Sequence, residues 1–464
     1  MNSLLSLSLH ELSALIAKHE ISPVEVTGRC LEQITQSEPE INAFITLTGE
    51  TALQEAKQAE KEIAAGKYRG ALHGIPLAIK DLFETKGVRT TAGSLFLRQN
   101  IPARDCFVVS RLRQQGAVFL GKLNMHEWAL GVTNENPHYG ACRNPWDKRR
   151  IPGGSSGGSA AALAAGMCFG ALGTDTGGSI RIPSSLCGIT GIKPTFGRVS
   201  KQGVIPLSRN LDHVGPMARQ VEDLALILNA IAGFDSDDPY AVNTSTGDYT
   251  SRLGKNIRGW HIAVPVGDYF HTTEDEVSKA FAAAANTFKD LGAILIETRM
   301  PHAESMAKAN SLITKCDAAA FHSERIAQHP GNFGQDVLTR LIQGKQTSIT
   351  GYTEARHLQH TGKRWFRSLF EKADLLLLPT TPVTAPLSNT AQAVERAKQL
   401  TRFTGIFDLT GLPAISLPCG FTSHGLPIGL QIIAPWWQES RLLQAAYAYE
   451  KAAAWFRKTP LPSG

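Results

Sequence analysis

The sequence predicts an α/β fold, and three observations carry that expectation. Short apolar runs of strand length recur at 74–80, 117–120, 168–172, 261–265, 374–379, 414–418 and 427–433, with Gly, Pro or polar residues around them. Segments of helical period fall between them, most clearly at 106–115 and 274–291. No repeat or obvious linker divides the 464 residues, so strands and helices are expected to pack as layers around shared apolar faces.

Taken in order, the chain opens with helices. Ser8 and Glu11 form a capping box ahead of Leu12, Leu15 and Ile16, each side chain satisfying a backbone N–H at the helix start. Ser22-Pro23-Val24-Glu25 repeats the device, with proline in the first turn where a missing N–H is harmless. Residues 41–46 read as a strand, and 51–65, rich in Ala, Glu and Lys, as an exposed helix. The apolar strand from Gly74 then ends in Lys80, followed by Asp81. A helix at 106–115 and a strand at 117–120 complete a strand-helix-strand unit. Gly116 to Lys122 imitates a phosphate-binding loop, but Leu123 stands where Ser or Thr is required and Val-Phe-Leu belongs in a strand.

Residues 151–195 hold eleven glycines. Such a density usually marks a flexible linker, yet apolar runs at 160–165 and 167–172 interrupt it. The stretch therefore reads as two tight loops on packed elements, one presenting Ser155 and Ser156, the other Ser179. Beyond it come a helix at 220–233, a polar segment at 235–251, a strand at 261–265, the helix 274–291, a strand at 293–297, a mostly helical region at 300–370 and the last three apolar strands.

Composition narrows the function. A net charge of +6 is spread over a chain that is 42% hydrophobic and 19% charged, without a block of like charges, so direct nucleic-acid or acidic-membrane binding is not expected. Lys148-Arg149-Arg150 reads as a solvated loop. Seven scattered cysteines without a C-x-x-C pair indicate neither a disulfide framework nor a zinc site. No apolar run reaches the roughly 18 residues of a membrane span, and the first twenty residues lack the basic start of a secretory signal. A cytoplasmic protein without metal or cofactor is expected.

The chemistry lies in the glycine-rich loops. Within Thr174-Asp175-Thr176-Gly177-Gly178-Ser179, backbone N–H groups unshielded by side chains can converge on an anion, with a serine hydroxyl at their end. A serine attacks an acyl carbon only if a base takes its proton. Gly154 to Gly158 formally matches the G-x-S-x-G elbow, but residues 144–154 supply no strand before it. His126, His138 and His213 read as hydrogen-bonded structural histidines. The remaining base is Lys80, whose ordinary pKa near 10.4 must fall through burial.

With Gly74 to Asp81, GGSSGGS at 153–159 and GTDTGGSIRIPSSLCGITGIKPT at 173–195 in this order, the chain resembles the amidase signature family, and the likeness extends over most of its length. The resemblance implies a large, twisted mixed sheet covered by helices on both faces. It also implies one amidase domain over 1–464: a helical opening at 1–70, a catalytic core at 71–220, and 221–464 completing the same sheet and the pocket. It places the base on Lys80, a bridging cis-serine on Ser155 and the nucleophile on Ser179. Thr176, Gly177, Gly178 and Ser179 take oxyanion-hole positions, Ser156, Asp175 and Arg181 supporting ones, and Ala129, Gly131 and Thr133 positions against the substrate.

The family includes the glutamine-hydrolysing A subunit of a tRNA-dependent amidotransferase. The glutamine site of that enzyme uses an aspartate about ten residues before a Gly-x-Pro turn, to pair the substrate's ammonium, and Thr401 stands in this place. Residues 133–140 also resemble those of hydrolases of ureido amides. The expectation is therefore a stand-alone hydrolase of a small carboxamide or ureido amide, a homodimer or paired with a small accessory subunit. The glutamine-hydrolysing A subunit is the alternative. A third reading is a non-catalytic or partner-dependent relative of the amidases.

Overall fold

The computed structural model describes residues 3–388 and 396–460. Eleven strands form one sheet: β1 (Phe44–Leu47), β2 (Pro76–Lys80), β3 (Val118–Leu123), β4 (Gly170–Asp175), β5 (Thr190–Lys193), β6 (His213–Ala218), β7 (His261–Val266), β8 (Ile294–Arg299), β9 (Leu375–Pro379), β10 (Ala414–Phe421) and β11 (Pro427–Ile433). Their spatial order is β1-β3-β2-β4-β6-β5-β10-β11-β9-β7-β8. The β3/β2, β2/β4, β9/β7 and β7/β8 pairs are parallel. All other neighbours are antiparallel.

Each parallel block is a strand-helix-strand unit of the kind the sequence predicts. The helix Phe107–Gln114 links β2 to β3, and the helix Asp275–Asp290 links β7 to β8, because a parallel return needs a crossover. The antiparallel centre is less visible in the sequence. Strands β5 and β6 interrupt their few branched residues with Gly, Pro, Lys and His, and neither is expected from its composition.

Element ends also differ from expectation. Ile41 closes the helix Pro23–Ile41, Asn42 caps it in the left-handed region, and β1 starts only at Phe44. Strand β4 runs on through Thr174 and Asp175, so the second loop begins at Thr176. Helix α1 (Gly157–Ala164) carries the small-residue run, and an unexpected helix α2 (Arg181–Cys187) follows Ser179. The helical region contains α3 (Ala303–Phe321), α4 (Gln335–Lys345) and α5 (Ile349–Phe370), and a short α6 (Gly405–Thr410) precedes β10. Among the described residues no helix is long and apolar enough to cross a membrane.

Packing explains the small residues of α1. Ala160, Ala161 and Ala162 are fully buried, and Ser159 Oγ donates to the Leu172 carbonyl of β4 at 3.1 Å. A Cβ on Gly158 would stand 2.4 Å from the Asn124 carbonyl oxygen and 2.5 Å from that of Ala43. Only glycine lets the helix start sit this close to the sheet. A second apolar cluster packs α3, α5 and α6 on the β7, β9 and β11 side.

Candidate active site

Lys80 ends β2, fully buried. Its Nζ donates to Ser155 Oγ at 2.7 Å, Ser156 Oγ at 2.9 Å and Thr174 Oγ1 at 2.7 Å. Three hydroxyls satisfy the three ammonium protons, and none of them carries a charge. Desolvation therefore dominates and brings the lysine down to about 7, against the pull of the Asp175 and Asp212 carboxylates. Neutral and protonated forms are both populated near neutral pH, as an acid-base group requires.

Ser155 follows a cis peptide bond from Gly154, and its carbonyl accepts from the His126 N–H at 3.1 Å. The Ser156 N–H donates to the Ser179 carbonyl at 3.2 Å, joining the two glycine-rich loops. Ser179 is 6% exposed, whereas Ser155 and Ser156 are sealed. No hydrogen bond links the Ser179 hydroxyl to Ser155 among the described residues.

The loop between Asp175 and Arg181 is held from outside. Asp175 accepts from the N–H groups of Gly178 at 2.5 Å and Ile180 at 3.1 Å, and from Arg181 Nε and Nη2, each at 3.0 Å. Burial pushes its carboxyl up, but the Arg181 guanidinium more than offsets this and holds it well below the usual range. The Thr176 carbonyl accepts from Asn310 Nδ2 at 3.0 Å, and the Gly177 carbonyl from Thr404 Oγ1 at 2.6 Å. With those carbonyls pinned outward, the N–H groups of Thr176, Gly177 and Ser179 find no acceptor among the described residues, while that of Gly178 is taken by Asp175. Gly178 has φ +129, and a Cβ there would strike Thr404 Oγ1 at 2.3 Å.

Arg181 is the hub behind the loop. Besides Asp175 it donates to Asp408 Oδ2 at 2.6 Å, Gln431 Oε1 at 2.5 Å and the Thr404 carbonyl at 3.1 Å, all buried. The three histidines each have partners: His126 with Asp336 at 2.9 Å, His138 with Glu127 at 3.1 Å, and His213 with the Asp175 carbonyl at 3.2 Å. None of the three rings bonds to a serine of the two loops among the described residues. Ala129, Gly131 and Thr133 lie on a segment that reaches the site. Val132 and Asn134 pack on Gly154, the His126 ring lies against Gly131, and Thr133 Oγ1 is 3.4 Å from His126 Nδ1.

Sequence reasoning missed Thr174, Asp212, Asn310, Thr404, Asp408 and Gln431. Asp408 alone carried a local signal, a carboxylate within the apolar run Gly405-Ile-Phe-Asp-Leu, where a charge needs a partner.

A buried lysine among hydroxyls, beside a serine at the end of free N–H groups on a mixed sheet, fits a hydrolase that cleaves amide C–N bonds. The chain belongs to the amidase family, whose model, described as Amidase, matches residues 25–443. It is 40% identical to the A subunit of the glutamyl-tRNA(Gln) amidotransferase of Geobacter sp. (strain M21), over 98% of this chain and 99% of that one. The solved structure of the corresponding A subunit from Thermotoga maritima superposes with a TM-score of 0.82 at 32% identity, covering 97% of this chain and 95% of that one. A structure of a vestigial protein complex, described as revealing the origins of an s-triazine catabolic enzyme, superposes with a TM-score of 0.91 at 35% identity, over 96% and 98%.

These amidotransferase relatives overturn two expectations: the stand-alone hydrolase of a small carboxamide or ureido amide, and a partner set limited to a small amide without nucleic acid. The first rested on Thr401, which the structure places in the turn before α6, its carbonyl accepting from the Gly405 N–H at 3.1 Å. One side chain changes one contact and leaves the acyl-transfer groups untouched, so it does not separate two substrate classes. The second rested on diffuse charge, which reports direct phosphate contact and not membership of an assembly.

Proposed function

We propose that this chain is the glutamine-hydrolysing subunit of a tRNA-dependent amidotransferase, releasing ammonia that a partner subunit uses on glutamyl-tRNA(Gln). The observation that carries the reading is end-to-end similarity to the amidotransferase relatives, 40% over 98% of the chain. The whole chain is read as one amidase unit, with Lys80, Ser155 and Ser179 as its triad.

In this reading Ser179 Oγ attacks the carboxamide carbon of glutamine, and its proton passes through Ser155 Oγ to neutral Lys80. The oxyanion is held by the N–H groups of Thr176, Gly177 and Ser179, with Gly178 kept in place by Asp175. Fixed dipoles of this kind need no reorganisation as charge develops. The C–N bond breaks as the proton returns from Lys80 through Ser155 to the leaving nitrogen, so ammonia departs and a glutamyl ester remains on Ser179. Water attacks that ester by the same route in reverse, freeing glutamate. Ser156 holds Lys80 and β4 together, Arg181 fixes Asp175, and Ala129, Gly131 and Thr133 border the acyl side.

The test is amide transfer by the chain assembled with its partner subunits, supplied with glutamine labelled with ¹⁵N at the amide and with glutamyl-tRNA(Gln). The expected result is ¹⁵N in tRNA-bound glutamine, lost in Ser179→Ala and restored to that variant by ¹⁵N-labelled ammonium chloride. Unchanged transfer from glutamine in Ser179→Ala would overturn the reading.

A further inference from the structure

Asp212 lies just before β6, 8% exposed, and is tied to the glycine-rich loop through the Thr176 side chain, whereas Asn310 and Thr404 hold its carbonyls. Its Oδ1 accepts from Thr176 Oγ1 at 2.7 Å and the Ser208 N–H at 3.0 Å, and its Oδ2 from the N–H groups of Leu207 at 3.0 Å and Ser208 at 3.1 Å. Two backbone N–H groups and a hydroxyl donate to it, an arrangement that favours the carboxylate, while burial pushes its pKa up. Asp212 also lines a cavity of about 50 Å³ whose wall includes Thr174, the residue whose hydroxyl accepts from Lys80.

We propose that Asp212 is a positioning residue of the reaction, fixing the Ser179 loop through the Thr176 hydroxyl and sharing one small cavity with Thr174, the hydroxyl partner of Lys80. This rests on the triad reading of Lys80, Ser155 and Ser179. Two carboxylates, Asp175 and Asp212, act on Lys80, but Arg181 grips Asp175 directly. Asp212 makes no such bidentate pair. Lys201 faces it across the cavity, its Nζ donating to the Arg209 carbonyl at 2.7 Å and lying 4.3 Å from the Tyr240 ring centroid. Asp238 shares that wall and accepts from the Lys201 N–H at 2.7 Å. Lys201, with Arg209 behind it, moderates the Asp212 charge, and Asp238 in turn moderates Lys201. Removing the Asp212 charge makes Lys80 easier to deprotonate, so the pH at which the site becomes reactive falls.

The rate of inactivation by phenylmethanesulfonyl fluoride tests this without the cognate substrate. Ser179 Oγ bonds to sulfur, fluoride leaves, and the hydroxyl proton goes to Lys80, so the rate follows the neutral lysine as pH is raised. Asp212→Asn is expected to move the midpoint of that rise down by about half a unit or more. Thr176→Val, which keeps the carboxylate, is expected to slow inactivation about tenfold at an unchanged midpoint, with Thr176→Ser restoring it. An unmoved midpoint in Asp212→Asn, or the wild-type rate in Thr176→Val, overturns the proposal. If Asp212→Asn does not fold by circular dichroism, the Thr176 pair decides by the same criteria. Ser179→Ala inactivated at the wild-type rate would instead overturn the triad reading itself.

Discussion

Two lysines sit on neighbouring strands here, and their contrast supports the base role proposed for one of them. Lys122 is buried like Lys80, but it faces the Asp81 carboxylate at 3.5 Å and donates to the Phe83 carbonyl and to Thr90 Oγ1, each at 2.6 Å. Lys80 meets only hydroxyls, groups that can carry a proton onward. The proposed reaction needs Lys80 neutral, so kcat/KM for glutamine hydrolysis is expected to rise with pH through about 7 and to be nearly lost well below that, as a pH-rate profile would show. Lys80→Met should lose about a thousandfold or more in kcat while keeping its circular dichroism spectrum. Lys80, Ser155 and Ser179 could be singled out in the sequence because a charge at the tip of an apolar strand and serines among glycines are each locally odd. Asn310 gave no such sign. It sits in a long helix of mixed composition, where an asparagine ordinarily faces water, and only folding turns it onto the Thr176 carbonyl.

At the scale of elements, α1 and α6 have complementary roles. The first brings the Ser155 loop against the sheet through residues too small to keep it away, and the second, with Thr404 at its start, braces the Ser179 loop. Gly158→Val should destabilise the fold by about 3 kcal/mol, since both obstructing atoms are backbone oxygens that cannot swing aside; urea denaturation would measure it. Thr404→Val removes the donor to the Gly177 carbonyl and is expected to lower kcat about tenfold with little change in KM, read from steady-state ammonia release. The helix at 157–164 could be read from its alanines. Residues 405–410 could not, because six residues ahead of a strand resemble a loop until Arg181 is seen to bond with Thr404 and Asp408.

Across the whole molecule, Arg181 joins β4, α6 and β11. Replacing it with methionine leaves Asp175 and Asp408 facing each other unpaired, so Arg181→Met should cost about 3–5 kcal/mol and lower the melting temperature measured by calorimetry. The α/β class and most outer strands were readable, since each outer strand announces itself within a few residues. The mixed character of the sheet, implied by the family resemblance, is borne out, but the order of its strands was not readable, because it depends on β5 and β6, whose identity as strands comes from the neighbours they pair with. The same dependence sets a timetable for synthesis. Gln431 lies 250 positions after Arg181. A ribosome therefore exposes Lys80, Ser155 and Ser179 long before the residues that grip Arg181 have been made, so the nascent chain cannot complete this buried network until Gln431 has been translated.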